Sequence, residues 1–200
     1  MLKFKKIYLL VLAFCLSTGV FAQKDKQARE VLDKTAAAMK NAGGIRAVFG
    51  GTSNGTLLLK GEQFYLNSGG VQSWFDGKTQ WSYLESSGEV NISSPTPEEL
   101  QGINPYSLLS LYKNGYKYTG VKKHNGKQGY EVILTPEQEQ NVTSITLFVS
   151  KTYEPLYIKI LQSNKTVNEI IVSSYQTHQP LDDASFRFEY PDAEVIDLRN

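Results

Sequence analysis

Cysteine is nearly absent from this chain of 200 residues: Cys15 is the only one. Histidine occurs twice, as His124 and His178, and neither has a carboxylate or a second histidine at ligand spacing nearby. Thiol chemistry, a disulfide framework and a cysteine or histidine metal site therefore have little to draw on. An excess of one charge is missing too. The formal net charge is +1, which gives no reason to expect nucleic acid or an anionic surface as partner. No glycine-rich phosphate loop follows a strand pattern, and no serine sits in a G-x-S-x-G elbow. The carboxylates are scattered, and no pair is marked out for acid–base work on a glycoside. Neither catalysis nor a cofactor is expected; the composition is that of a binding protein.

Long apolar runs are also lacking. A run from Ile7 to Val20 carries no charge, but it is shorter than the roughly 20 residues that span a bilayer. It follows Lys3, Lys5 and Lys6 and ends in "VFAQ", with Val20 and Ala22 as small residues before a cut. That pattern reads as a secretory signal peptide over residues 1–22. Phe14 before Cys15 does not fit a lipoprotein signal. The mature domain, residues 23–200, would have no cysteine and a slightly acidic balance. It must rest on its core, and it is long enough to bury one.

What the chain does have is period-two patterning. One helix is expected over Lys24–Lys40, where Ala28, Val31, Leu32, Thr35 and Met39 recur at helical spacing before Gly43-Gly44. Strands are expected at Ile45–Gly51, Thr56–Lys60, Gln63–Asn67, Val71–Asp76, Thr79–Leu84 and Glu89–Ile92. They resume at Tyr116–Lys122, Gln128–Thr135, Val142–Ser150, Leu156–Gln162 and Asn168–Gln176. Asp76-Gly77, Asn125-Gly126 and Asn164-Lys165 punctuate them as turns, the first as a two-residue type I′ hairpin. Between the two groups, Thr96, Pro97 and Glu99 form a capping box, and Asn104-Pro105 repeats the start signal. The second short helix carries Leu108, Leu109, Leu111 and Tyr112 and is apolar most of the way round, so it must be covered on more than one side.

About eleven strands with one long helix make a wide sheet that its helices cannot fill, and such half-barrels tend to enclose an apolar cavity. Leu57 and Leu59, Phe64 and Leu66, and Trp81 and Tyr83 mark single faces of three strands. Both tryptophans fall in "SWFDGKTQWSY". That block is similar to the Asp-box of sialidase propellers, but it occurs once, with Asp76 and Gly77 adjacent, whereas a propeller repeats it blade by blade.

Four blocks in order carry a closer resemblance. "GTLLLKGEQFYL" (Gly55–Leu66) resembles G-x-L-x-V-K-R-P-x-x-F, and "FDGKTQWSY" (Phe75–Tyr83) resembles S-D-G-K-T-L-W-x-Y. A helical insert with Pro105 and two leucines follows, and "DDASFRFEYPDAEVID" (Asp182–Asp197) resembles D-A-x-x-F-x-F-x-P-P-x-G-V-x-V. These are the blocks of the LolA family of periplasmic lipoprotein carriers. The resemblance implies an α+β, mainly β fold: an open curved antiparallel sheet, an incomplete barrel, with an N-terminal helix and short lid helices over an apolar cavity. It implies a periplasmic chaperone that shields lipoprotein acyl chains, or a related lipid, between an inner-membrane ABC transporter and an outer-membrane receptor. The cavity would be walled by Leu57, Leu59, Phe64, Leu66, Trp81 and Tyr83 and roofed by Leu108, Leu109 and Tyr112. A monomer is expected, with no metal. The alternatives are an RseB-like sensor and a fatty-acid-binding module without a transport role. One departure stands out: where the family has a latch arginine that holds the lid closed, this chain has Gly61, between Lys60 and Glu62. Either the latch is absent, or Lys60 takes over its task.

Overall fold

The computed structural model describes residues 26–96, 99–100, 116–124, 127–136, 142–189 and 192–199. The expected signal segment and the lid residues Leu108, Leu109 and Tyr112 lie outside them. Helix α1 (26–41) precedes β1 (Gly44–Gly51), β2 (Gly55–Lys60), β3 (Gln63–Ser68), β4 (Val71–Phe75), β5 (Gln80–Leu84) and β6 (Glu89–Ser93). Then come β7 (Tyr116–His124), β8 (Lys127–Pro136), β9 (Val142–Ser150), β10 (Pro155–Gln162), β11 (Val167–Gln176) and β12 (Glu194–Asp197). All eleven expected strands are present, and β12 is a further one. It lies parallel to β6, whereas every other described pair is antiparallel.

The twelve strands form one open sheet in the order β12-β6-β5-β4-β3-β2-β1-β11-β10-β9-β8-β7. Two meanders, β1–β6 and β7–β11, are thus joined side by side through the β1–β11 pair. Between the meanders, Thr96 accepts from the Glu99 N–H at 3.3 Å and the Glu99 carboxylate accepts from the Thr96 N–H at 2.8 Å. This is the expected capping box.

The pairing register assigns faces, because residues directly opposite on antiparallel strands point to the same side. Leu57 pairs with Leu66 and Leu66 with Ser73, while Leu59 pairs with Phe64 and Phe64 with Phe75. All of these share the inner face. Helix α1 covers part of it: Ala28, Val31, Leu32 and Met39 are buried in one cluster with Ile45, Leu59, Phe64, Phe75, Val132 and Val149. Thr35 reaches this apolar side by donating its hydroxyl to the Val31 carbonyl at 2.8 Å, which satisfies its buried oxygen.

The other face is covered by the C-terminal segment. After β11 the chain turns back through a 3-10 turn, Asp183–Phe186, capped by Asp182, and Phe186 is fully buried there. Phe188 then stands edge-on to Trp74 at 5.3 Å and lies 5.9 Å from Tyr83.

The β4–β5 connection differs from expectation. Phe75 pairs with Gln80, so the loop has four residues, 76–79, and not two. The Asp76 carboxylate holds it by accepting from the N–H groups of Lys78 at 3.0 Å and Thr79 at 2.8 Å. A two-residue turn with positive φ at both corners, as type I′ requires, occurs instead at Gly69-Gly70 (φ +64° and +80°). Gly77 still adopts φ +99°, and a Cβ added there would meet nothing within 4 Å. Gly77→Val should therefore cost about 1–3 kcal/mol through backbone strain alone. Thermal denaturation checks this: an unchanged Tm would show that the loop relaxes freely.

Candidate functional site: an apolar cavity in the open sheet

The inner face is wider than α1. Beside the helix a cavity of about 370 Å³ remains, inside the range of roughly 300–1,000 Å³ common for small-ligand pockets. Its wall is built strand by strand from alternate residues: Leu57 and Leu59 on β2, Leu66 on β3, Leu134 on β8, Ile145 and Leu147 on β9. Ile158 and Ile160 on β10 and Ile170 and Val172 on β11 complete it, and Ala47, Met39 and Tyr175 close one end. Branched aliphatic side chains are what such strands need, since they pack well on a pleated surface. Here the same choice makes a dry wall. Polar side chains gather at the opposite end, at Thr52, Ser53, Ser68 and Asn168.

Three expected cavity residues, Leu57, Leu59 and Leu66, are thus brought together on the wall. Phe64 lies on the same face but deeper, under α1, where it is fully buried and packs against Phe75 at 5.5 Å. It belongs to the core beside the cavity. The expected placement of Trp81 and Tyr83 is corrected. Trp81 pairs with Trp74 and Tyr83 with Gln72, and Trp74 pairs with Tyr65. Tyr65 neighbours Phe64 and Leu66 along β3 and so points the opposite way. Trp81 and Tyr83 therefore stand on the outer face, and the aromatic block serves the C-terminal cover. The aliphatic wall residues missed from the sequence lie mainly on β8–β11: Leu134, Ile145, Leu147, Ile158, Ile160, Ile170 and Val172, with Met39 on α1 and Ala47 on β1 besides. Their signal was the alternation of aliphatics along those strands.

Lys60 is engaged elsewhere than in a latch over the cavity. Its ammonium donates to the Leu181 carbonyl at 2.8 Å and lies 3.4 Å from an Asp183 carboxylate oxygen, so it ties β2 to the C-terminal cover. Gly61-Glu62 is the two-residue turn joining β2 to β3. Lys60→Met should lower stability by about 1 kcal/mol, the net worth of one such hydrogen bond. Chemical denaturation of the two proteins measures it, and a shift in lipid affinity instead would overturn this placement.

Titratable chemistry is sparse. Among the described residues, no group of three or more His, Cys, Asp and Glu could hold a metal ion. His178 is exposed, with Nδ1 3.0 Å from the Thr177 hydroxyl. The Tyr157 phenol is pushed up to about 12, first by burial and then by its 2.7 Å hydrogen bond to the Glu169 carboxylate. It pairs with Ile171 and Phe148 on the outer face, away from the wall.

An open half-barrel with a largely aliphatic cavity is an architecture suited to holding an apolar ligand. The family model for "Outer membrane lipoprotein carrier protein LolA" matches residues 16–164, and the chain belongs to that family. No curated protein matches it. Among solved structures, an uncharacterized conserved protein from Thermus thermophilus is similar in fold. That alignment has 15% identity and a TM-score of 0.64, and covers 86% of this chain and 99% of that one. MucB aligns at 13% identity over 86% of this chain and 66% of its own, with a TM-score of 0.47. A LolA superfamily protein from Nitrosomonas europaea aligns at 11% identity over 80% and 97%, with a TM-score of 0.40. Among the described residues no helix is long and apolar enough to cross a membrane.

Proposed function

We propose that this protein is a periplasmic carrier that shelters acyl chains of lipoproteins, or of a related lipid, on their way towards the outer membrane. The observation that carries the reading is the aliphatic cavity, kept open in a member of a lipoprotein carrier family. Each exposed methylene costs about 0.8 kcal/mol in water, so an acyl chain crosses an aqueous compartment only under cover. Residues 1–22 act as the export signal in this reading, and residues 104–112 as the lid. An inner-membrane transporter and an outer-membrane receptor would supply and receive the cargo. Native mass spectrometry of protein isolated from its own periplasm tests this. Co-purifying acylated lipoprotein or lipid is the expected result. A ligand-free protein that also fails to take up a fluorescent acyl probe would sink the proposal.

A further inference from the structure

The cavity is chemically polarised along its length. Met39, Ala47, Leu59 and Tyr175 close one end, and Thr52, Ser53, Ser68 and Asn168 ring the other. An amphipathic ligand therefore has one favourable direction, with its tail at α1 and its head at the β1–β2 loop.

The polar end is neutral and tied in place. Thr52 donates its N–H to the Glu169 carbonyl at 2.9 Å, and its hydroxyl oxygen accepts the Glu169 N–H at 2.8 Å. The hydroxyl proton is left to donate elsewhere. Ser68 donates to the Asn54 carbonyl at 3.1 Å and keeps lone pairs to accept. Asn168 pairs with Ile160 on the inner face and carries both a donor and an acceptor. Among the described residues lining the cavity there is no Lys, Arg or His. Lys165 is exposed in the β10–β11 connection and is not part of the lining. Glu169 also borders this end, but its carboxylate accepts from the Tyr157 hydroxyl on the outer face, out of the cavity.

We infer that this end is a head-group subsite selective for uncharged ester or amide linkages over an ionised carboxylate. It rests on the acyl-binding reading above and deepens it. Neutral carbonyls and hydroxyls can exchange hydrogen bonds with the Thr52, Ser53, Ser68 and Asn168 groups. A carboxylate would lose hydration there with no cation to meet it, which is a costly exchange. Free fatty acid is thus a poor occupant, and an ester- or amide-linked acyl chain a good one.

Competition against a bound fluorescent acyl probe tests this on the intact protein, with glycerol monododecanoate and dodecanoate as rivals at about pH 8, where a carboxyl is ionised. The glyceride should displace the probe at a concentration about tenfold lower, a difference of about 1.4 kcal/mol. Ser53 is exposed, so Ser53→Lys should fold normally, supply the missing cation and cut that ratio several-fold. Equal displacement by dodecanoate, or a ratio unmoved in Ser53→Lys, would overturn the subsite while leaving the carrier intact. If neither lipid displaces the probe, the cavity is no acyl site, and the reading under Proposed function falls with this one.

Discussion

Phe186→Ala should cost about 3–5 kcal/mol, the range for removing a large aromatic from a packed interior. Against a typical total stability of about 5–15 kcal/mol, that is a major fraction. Phe186 is fully buried although it lies close to the chain end and outside the strands. It closes the outer face of β3, where the tilted rings of Tyr65 and Trp74 lie 5.1 Å apart and Phe188 packs against Trp74 and Tyr83. The Asp76 carboxylate, 3.7 Å from the Arg187 guanidinium, adds a polar tie between the β4–β5 loop and this cover. Guanidinium denaturation measures the loss, with Phe188→Ala, at a half-buried position, as the smaller comparison. A loss below about 1 kcal/mol would mean that the C-terminal cover is dispensable and the outer face stable without it.

Ile158→Glu should reduce affinity for a fluorescent acyl probe by more than about tenfold, because a carboxylate aimed into the cavity must lose hydration against the ligand's methylenes. Ile158 pairs with Leu147 and Ile170 in the middle of the wall and is only half-buried, so the empty protein can hydrate the new charge and stay folded. Trp81→Ala is the counterpart. On the outer face it should leave probe affinity within about twofold while lowering Tm through lost packing. The opposite result, with Trp81 controlling binding and Ile158 indifferent, would move the binding surface to the other side of the sheet.

The strands were legible because their residues alternate, and alternation survives any tertiary context. Which face looks inward was harder to read. Every connection from β2 to β5 holds an even number of residues: two at Gly61-Glu62, two at Gly69-Gly70 and four at 76–79. The in-and-out parity is thus fixed from Leu57 to Tyr83, and it puts Trp81 and Tyr83 opposite Leu57 and Leu66. Rich aromatics are a poor sign of the cavity here because the outer face has its own cover, Phe186 and Phe188, which arrives from far along the chain. No local pattern reports such a contact. β12 escapes a sequence reading for the same reason, being four residues long and joined in parallel to a distant strand. The cavity itself was half legible: β2 and β3 supplied Leu57, Leu59 and Leu66, whereas the β8–β11 wall had the alternation but no block of residues that named it.

The seam between β1 and β11 has a consequence for how the chain reaches this structure. Ser173 donates its hydroxyl to the Val48 carbonyl at 3.0 Å across 125 positions of sequence, and the whole β1–β11 ladder has a comparable separation. Each meander can form from near neighbours, but the seam needs a large loop to close before any contact rewards it. Until then two inner strands are bare edges, and each half exposes its aliphatic wall to water and to other chains. The second half and the cover around Phe186 emerge after the first meander from any synthesising or translocating machinery. Folding should therefore be slow, concentration-sensitive in its early phase, and vulnerable to loss of the segment from Asp182 to Phe188.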